Sequence, residues 1–331
     1  MKTNIIEAKN LTKTYKKTVK AVDHISFSVE EGELFGFIGP NGAGKTTTIK
    51  MLTTLASLTE GEASVVGYDV GKNPADVRKN IGVVPQEFTA DDELKGAENL
   101  FLSAKLHHVP NDAVRKKAKE LLELLELEDA AQRQVKTYSG GMRRRLQLAM
   151  GLIHEPKILF LDEPTLGLDI QTRQKMWTYI RELNHERGIT VFMTTHYLEE
   201  ADSLCDRISI IDAGTIKASG SPPQLKEKLG GPILTLRLID GVDLTDLLRE
   251  IQDVSEVAKK GQSYQIKLAK PELAIPQIIE VVTKRGLKIS DITLVKPTLD
   301  QVFLQITGDM MRDGSANGDW FGQRVLIERL K

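Results

Sequence analysis

A glycine-rich stretch constrains the fold of this chain more than any other feature. Residues 39–47 read GPNGAGKTT and fit the pattern G-x-x-x-x-G-K-[ST], a loop whose backbone N–H groups surround nucleotide phosphates. Such a loop needs a buried strand before it and a helix after it. The apolar run from Leu34 to Ile38 predicts the strand, and the segment from Thr46 to Leu55 predicts the helix. The sequence therefore predicts an α/β fold that binds ATP or GTP.

The residues of this loop have separate predicted tasks. Gly39, Gly42 and Gly44 allow a tight turn that points successive N–H groups at the phosphates, and the following helix adds its positive end. Lys45 is expected to reach the β- and γ-phosphates, and Thr46 to supply a hydroxyl to Mg²⁺. The other members of the predicted nucleotide-binding set in this loop are Pro40, Asn41, Ala43 and Thr47.

Two adjacent carboxylates follow a second apolar strand. Residues 158–161 read ILFL, and Asp162 and Glu163 come directly after them. The carboxyl ends of strands are the usual ligand sites of α/β sheets. Because successive strand side chains point to opposite sides, the two acids are expected to have different tasks. We expect Asp162 to hold Mg²⁺, directly or through water, and Glu163 to be the general base or water-positioning group for attack on the γ-phosphate.

Strand and helix patterns alternate along the first part of the chain. The opening is β-rich, at residues 5–8 and 25–29, and a helical block runs from about residue 88 to 155. Strand-like runs return at residues 158–161, 190–194 and 208–212. This alternation favours an α/β core with a largely parallel sheet. We expect a domain over residues 1–225, with a helical subdomain at about 88–155.

A second, smaller domain is predicted after a boundary rich in proline and glycine at residues 221–223 and 230–232. The pattern that follows is strand, helix, a hairpin turning at residues 260–262, helix, strand and a short final helix. It predicts a small α+β domain, ferredoxin-like, over residues 231–308. We expect residues 309–331 to be a flexible tail.

A short glycine motif lies between the loop and the paired acids. Residues 139–142 read SGGM, and Ser139 can cap a helix that begins near Gly140 and runs to Leu152. A serine-capped helix start that includes Gly140 and Gly141 is an open anion-binding surface. A second anion site without a catalytic group beside it is explained if it faces the ATP bound by another copy of the chain.

The order of these motifs resembles the ATP-binding cassette (ABC) ATPases, the engine subunits of membrane transporters, from about Glu7 to Ser221. The resemblance implies a P-loop NTPase core with a β-rich N-terminal part and an inserted helical subdomain. It also implies that two copies stack head to tail, so that each ATP lies between the glycine loop of one copy and Ser139, Gly140 and Gly141 of the other. Asp169, in DEPTLGLD, then reaches across the dimer interface.

Three further site residues follow from this resemblance. Gln86, in VVPQE, matches the glutamine that meets Mg²⁺ and the attacking water and relays contact with the transporter subunit. His196, after VFMTT, matches the switch histidine on the γ-phosphate. Tyr15 lies where the family has an aromatic ring that stacks on adenine. The catalytic set implied by the motifs and the resemblance is Glu163, His196, Gln86 and Lys45.

Two segments resemble one branch of the family. YSGGMRRRL and the closing segment KPTLDQVFLQITG are similar to the daunorubicin-resistance type, a branch of multidrug and antibiotic exporters. The resemblance implies ATP hydrolysis that drives export of a drug, antibiotic or lipid-like compound through a separate membrane permease. The chain is then expected at the cytoplasmic face of the membrane. A soluble ABC ATPase acting on DNA or ribosomes, the ATPase of an importer, and a small-molecule kinase remain alternatives.

Composition bears on the partners and the compartment. The formal net charge of −1 offers no broad basic surface, so we expect no nucleic-acid partner. The single cysteine, Cys205, allows no internal disulfide and favours a reducing cytoplasm. No stretch approaches the roughly 20 apolar residues of a membrane helix, and no signal peptide is expected at the N-terminus.

Overall fold

A computed structural model describes residues 3–16, 18–228, 231–239 and 243–308. The predicted tail at residues 309–331 lies outside the described residues. Within these ranges, every helix is too short or too polar to cross a bilayer.

An antiparallel sheet covers one side of the N-terminal part. Strands β1 (Asn4–Tyr15) and β2 (Val19–Glu30) form a long hairpin. The chain then leaves for β3 (Leu34–Ile38) and returns as β4 (Glu60–Val65) and β5 (Tyr68–Asp69), which gives the order β2-β1-β4-β5. The β-rich opening is confirmed, and its strands are longer than the runs of β-forming residues predicted.

A second sheet forms the centre of the molecule, in the order β10-β9-β3-β8-β7-β6. Its remaining strands are β6 (Ile81–Val84), β7 (Ile158–Asp162), β8 (Thr190–Thr195), β9 (Arg207–Asp212) and β10 (Thr215–Gly220). All neighbours are parallel except β9 and β10. Every residue of β3, β7 and β8 is buried, as expected of parallel strands covered on both faces.

Alternation along the central strands separates two buried clusters. Leu34 and Ile38 of β3 face the helices, whereas Phe35 and Phe37 face the N-terminal sheet. On the second side, the ring of Phe192 lies 5.5 to 6.0 Å from the rings of its aromatic neighbours Phe27, Phe35, Phe37 and Phe160. The strands that carry the site are therefore held rigidly from both faces.

Eight α-helices accompany these sheets in the part of the chain up to residue 228 that the structure describes: α1 (Lys45–Leu52), α2 (Pro74–Asn80), α3 (Gly96–Leu106), α4 (Asn111–Leu124), α5 (Gly140–Leu152), α6 (Ile170–His185), α7 (Leu198–Leu204) and α8 (Pro222–Glu227). Helices α3 and α4 both pack on α5 and form the helical block. The predicted α/β core and helical block are both present.

The C-terminal part has the predicted mixture of strands and helices. Its elements are β11 (Ile233–Leu238), α9 (Thr245–Arg249), β12 (Val254–Lys260), β13 (Ser263–Leu268), α10 (Pro271–Lys284) and β14 (Ile289–Val295). The sheet is antiparallel in the order β12-β13-β11-β14, which is the ferredoxin-like arrangement. Gly261, with a φ of 63°, makes the hairpin turn.

The last described helix, α11 (Leu299–Thr307), packs on the N-terminal part. It contacts α7, α8 and β10, and its residues Leu299, Val302 and Phe303 share a buried cluster with Leu198 and Leu225. The predicted segment 231–308 therefore contributes its final helix to the other core.

Candidate nucleotide site

The predicted site residues converge on one edge of the central sheet. Strands β3, β8, β7 and β6 are neighbours and run parallel, so their carboxyl ends lie side by side. The glycine loop follows β3, and Gln86 lies in the loop after β6. Asp162 is the last residue of β7, Glu163 follows it, and His196 follows β8. This edge is the expected ligand site of an open α/β sheet.

Positive φ angles favour glycine at Gly42 and Gly44 of the loop, and lack of space requires it at Gly39. Gly44 has a φ of 109°, and a Cβ there would lie 2.6 Å from the carbonyl oxygen of Ala21. A Cβ on Gly39 would overlap the carbonyl oxygen of Ile211. The loop thereby turns directly into α1, whose first residue is Lys45.

Lys45 is held between the loop and the acidic strand end. Its side chain is 6% exposed, and Nζ donates hydrogen bonds to the carbonyl oxygens of Gly39 at 2.7 Å and Pro40 at 3.3 Å. Nζ also pairs with Oε1 of Glu163 at 3.1 Å. The ammonium group therefore lies at the centre of the loop, where phosphate oxygens bind in loops of this type.

Glu163 is buried and joins three elements. Its φ is 51°, and its N–H donates to both the carbonyl oxygen and Oγ1 of Thr194 at 3.1 Å. Its carboxylate meets Lys45 through Oε1 and the Nδ1 atom of His196, at 2.7 Å, through Oε2. Burial disfavours the charged form, but the His196 hydrogen bond and the Lys45 charge outweigh it and lower the pKa of Glu163. The carboxylate is thus ionised at neutral pH and able to accept a proton.

Asp162 lies beside this cluster with Thr194 as its partner. The hydroxyl of Thr194 donates to Oδ1 of Asp162 at 2.6 Å, and both residues are buried. Thr46 is half-buried at the start of α1, and Gln86 is exposed in the loop after β6. The hydroxyl, amide and carboxylate oxygens of Thr46, Gln86 and Asp162 are the ligand type that Mg²⁺ prefers, so this donor set fits the ion.

Thr194 is a site residue that the sequence interpretation missed. Its sequence signal is weak, because Thr194 is one of three threonines in a strand that is otherwise apolar, and only its position two residues before His196 distinguishes it.

His196 itself is largely buried, and its ring lies 4.1 Å from that of Tyr197. The ring of Tyr197 in turn lies 4.2 Å from the guanidinium of Arg173 on α6.

The SGGM motif begins α5 as predicted. Oγ of Ser139 accepts a hydrogen bond from the Met142 N–H at 3.3 Å, so the serine caps the helix. Ser139 and Gly140 are exposed, and a Cβ on Gly140 would meet nothing within 4 Å. The helix start is therefore open to a ligand from outside.

The residues around this helix start are tightly packed. The buried hydroxyl of Tyr138 donates to the carbonyl oxygen of Ala130 at 2.6 Å. On the far side, a Cβ on Gly141 would lie 2.5 Å from the Thr172 methyl group. Asp169 caps α6 by accepting from the N–H of Thr172 at 2.9 Å and from its hydroxyl at 2.7 Å. Asp169 is exposed, and these bonds from Thr172 lower its pKa.

Tyr15 lies at the end of β1, apart from the cluster of charged residues. Its ring is 38% exposed, and Nζ of Lys13 lies 5.1 Å from the ring centroid. A half-exposed ring of this kind offers a face for stacking.

Comparison with known proteins decides the family. The ABC transporter family matches residues 22–166, and the family described as ATP-binding protein DrrA1-3-like, C-terminal domain, matches residues 220–307. The doxorubicin resistance ATP-binding protein DrrA of Mycobacterium tuberculosis (strain CDC 1551 / Oshkosh) is 41% identical over 305 residues, 90% of this chain and 92% of the relative. The chain belongs to the ABC transporter ATPases.

A second curated relative and a solved structure are similar to this ABC ATPase over most of their own length. The linearmycin resistance ATP-binding protein LnrL of Bacillus subtilis (strain 168) is 37% identical over 314 residues, which cover 93% of this chain and all of LnrL. The solved ATP-binding cassette MJ0796, a dimer in a post-hydrolysis state bound to ADP and phosphate, superposes with a TM-score of 0.60 at 30% identity. That match covers 65% of this chain and 98% of the cassette.

These findings confirm the predicted family, its daunorubicin-resistance branch and the P-loop NTPase fold. This ABC ATPase binds ATP with Mg²⁺ and hydrolyses it. Its homologues work as dimers, and in drug exporters they act with a separate membrane permease.

Proposed function

We propose that this ABC ATPase powers export of a drug, antibiotic or lipid-like compound through a separate membrane permease. The observation that carries the proposal is the convergence of Lys45, Glu163 and His196 at one sheet edge, in a chain whose whole-length relatives are named for antibiotic resistance. Through the permease, the chain acts at the cytoplasmic face of the membrane. Nucleic acid has no part in this function.

In the proposed reaction, water attacks the γ-phosphorus and the bond to the leaving ADP oxygen breaks. Glu163 is the general base or water-positioning group, because its carboxylate is ionised and buried beside Lys45. Lys45 binds the β- and γ-phosphates, and His196, already hydrogen-bonded to Glu163, faces the γ-phosphate. The proton of the attacking water passes to Glu163 and then to the released phosphate.

Thr46, Gln86 and Asp162 are the proposed Mg²⁺ ligands. When bound, the ion neutralises phosphate charge as the bond to the leaving group breaks. Thr194 fixes the orientation of Asp162 through its 2.6 Å hydrogen bond. Gln86 lies in an exposed loop, where the permease can reach it as well.

The second ATP-binding surface belongs to a head-to-tail dimer. Ser139, Gly140 and Gly141 contact the phosphates of the ATP held by the other copy, since the capped start of α5 is open to solvent. Asp169, exposed beside Thr172 of the same copy, reaches across the interface. Tyr15 stacks on adenine. ATP favours the closed dimer, closure moves the permease, and hydrolysis resets both.

Two functional units follow from this assignment. Residues 1–225 form the cassette, with the helical subdomain at about 88–155, and residues 231–308 form an accessory domain. Their separate buried clusters support this division, and α11 connects them because it packs on α7 and α8.

Replacement of Glu163 tests the proposal. Glu163→Gln keeps the shape but cannot accept the proton, so turnover should fall by about a hundredfold or more while ATP affinity is retained. With ATP present, the variant should then accumulate as an ATP-bound dimer, which size-exclusion chromatography detects. Glu199→Gln, which alters an exposed glutamate near His196, is the matched control and should behave as wild type. Undiminished phosphate release by Glu163→Gln would contradict the role of Glu163.

The transport direction needs a separate measurement. In inverted membrane vesicles that contain the chain and its permease, ATP should drive doxorubicin into the lumen, and Glu163→Gln vesicles should not accumulate it. ATP-driven loss of preloaded drug from the lumen would indicate an importer. Stimulation of phosphate release by DNA or ribosomes instead would contradict a transport role.

A further inference from the structure

Arg144, in the first half of α5, is buried and uses all five of its N–H groups. Its acceptors, at 2.7 to 2.9 Å, are four backbone carbonyl oxygens and one side-chain amide oxygen, those of Pro85, Asp162, Glu163, Pro164 and Gln147. A guanidinium is the only side chain with five donors in one plane, so this pocket is matched to arginine. Burial lowers the pKa of Arg144 to about 10, which leaves it charged at neutral pH.

Gln147 completes this arrangement one turn later on the same face of α5. Its Nε2 donates to the carbonyl oxygen of Glu87 at 2.6 Å and to that of Pro85 at 3.3 Å, and the side chain is 2% exposed. The backbone on both sides of Gln86 is therefore tied to α5. The same helix holds the carbonyls of Asp162 and Glu163 through Arg144.

We propose that Arg144 is a positioning residue for ATP hydrolysis, which together with Gln147 fixes the backbone of Glu163 and the loop of Gln86 to the helix that starts at Ser139. The inference rests on the proposed roles of Glu163 and Gln86. It does not require Arg144 to touch ATP, because every N–H of its guanidinium already has a protein acceptor.

The arrangement also has a consequence for the dimer. Helix α5 begins at the exposed Ser139, where the ATP of the partner binds in the proposed assembly. A rigid helix that shifts on this contact moves the guanidinium of Arg144 and the five oxygens bonded to it. Occupancy of one ATP site is thereby transmitted to Glu163 of the other site.

Conservative replacement tests the positioning role. Lysine keeps the charge but has three donors, so Arg144→Lys should lower kcat for ATP hydrolysis by about tenfold to a hundredfold, the cost of a small misplacement. KM and ATP affinity should stay within about twofold, because the glycine loop is untouched. Arg145→Lys is the matched control, since Arg145 lies next on α5 and donates to the carbonyls of Leu125 and Glu126 away from the site.

The possible outcomes distinguish the positioning role of Arg144 from the catalytic role of Glu163. If Arg144→Lys equals Arg145→Lys while Glu163→Gln is inactive, the positioning role is wrong but the proposed function stands. Loss of ATP binding together with kcat in Arg144→Lys would mean a merely structural role and also contradict the inference. Turnover by Glu163→Gln would remove the catalytic assignment from which it follows.

A double-mutant cycle tests the link to the partner site. If α5 transmits contact at Ser139 to Glu163, the fold-loss in kcat of the double variant Ser139→Ala/Arg144→Lys should be smaller than the product of the two single fold-losses. For the control pair Ser139→Ala and Arg145→Lys, the fold-loss of the double variant should equal that product. If the fold-loss of Ser139→Ala/Arg144→Lys also equals the product, α5 does not transmit the contact at Ser139 to Glu163.

Discussion

Single polar side chains set the geometry of the candidate site. Thr194 is the clearest case, because one hydroxyl donates to Asp162 and also accepts from the Glu163 N–H. A hydroxyl has one proton and two lone pairs, so it can fill both roles at once. In a buried setting, the loss of such a group leaves its partners unsatisfied.

Thr194→Val tests this role at nearly constant side-chain shape. We expect kcat to fall about tenfold and the Mg²⁺ concentration for half-maximal activity to rise, because Asp162 loses the group that orients it. Thr190→Val is the matched control, since Thr190 is buried at the other end of β8 and accepts from the Gly32 N–H at 2.9 Å. Both changes should cost about 1 kcal/mol of stability, but only the first should alter the Mg²⁺ dependence of phosphate release. Equal Mg²⁺ curves would contradict the role of Thr194.

At the scale of elements, the helical block is joined to the central sheet by a pair of stacked histidines. His107 ends α3 and His154 follows α5, and their rings lie 3.7 Å apart. Nε2 of His154 bonds to the carbonyl oxygen of Ile81 in β6 at 2.8 Å, so this nitrogen carries the proton. Nδ1 of His154 is buried without a hydrogen-bond partner in the part of the chain that the structure describes. The junction therefore favours a neutral ring.

This junction makes the stability of the fold depend on pH. Burial, with the nearby charges of His107 and Lys117, lowers the pKa of His154 from 6.5 to about 4. Between these values the unfolded chain binds a proton that the folded chain does not, so the free energy of unfolding falls as the pH falls. His154→Gln should flatten this dependence, because glutamine does not titrate and can still donate to Ile81.

The measurement is the urea midpoint of unfolding between pH 7 and 4. The wild type should lose stability more steeply than His154→Gln. His185→Gln, which changes an exposed histidine at the end of α6, should follow the wild type. Parallel curves for wild type and His154→Gln would show that this histidine does not control the effect.

At the scale of the whole molecule, α11 ties the C-terminal part to the cassette. Phe303 is 1% exposed and lies in the same buried cluster as Leu198, Leu204 and Leu225. Helix α11 contacts helix α7, which begins two residues after His196. The end of the described chain is thus part of the core that supports the candidate site.

Phe303→Ala should destabilise the cassette by roughly 3–5 kcal/mol, through lost burial and the cavity left behind. Trp177 on α6 is a local reporter, because its Nε1 donates to the buried Glu200 of α7 at 2.9 Å. In a Trp320→Phe background it is the only tryptophan, and its fluorescence follows urea unfolding. Gln305→Ala, on the exposed side of α11, should leave the transition in place. An unchanged Trp177 transition in Phe303→Ala would show that α11 is not part of the cassette core.

Local sequence patterns were enough to predict several elements and the nucleotide chemistry of the chain. The strand Leu34–Ile38, the capped helix that starts at Gly140, and the hairpin at Gly261 were all predicted at or near their observed places. Each depends on local periodicity, a capping residue or a glycine turn, and these act over a few neighbouring residues. The glycine loop and the Asp162–Glu163 pair likewise indicate nucleotide chemistry without any knowledge of the sheet.

The contacts between these parts, in contrast, become known only from the folded arrangement. Arg144 meets Pro85 across 59 residues and Thr194 meets Asp162 across 32, and α11 returns to the first core. Such contacts depend on the order β3-β8-β7-β6 and on the packing of helices against it. One arginine in a run of three and one threonine in a strand give no local signal of these partners. Their roles follow from the sheet order, because it places the carboxyl ends of distant strands side by side.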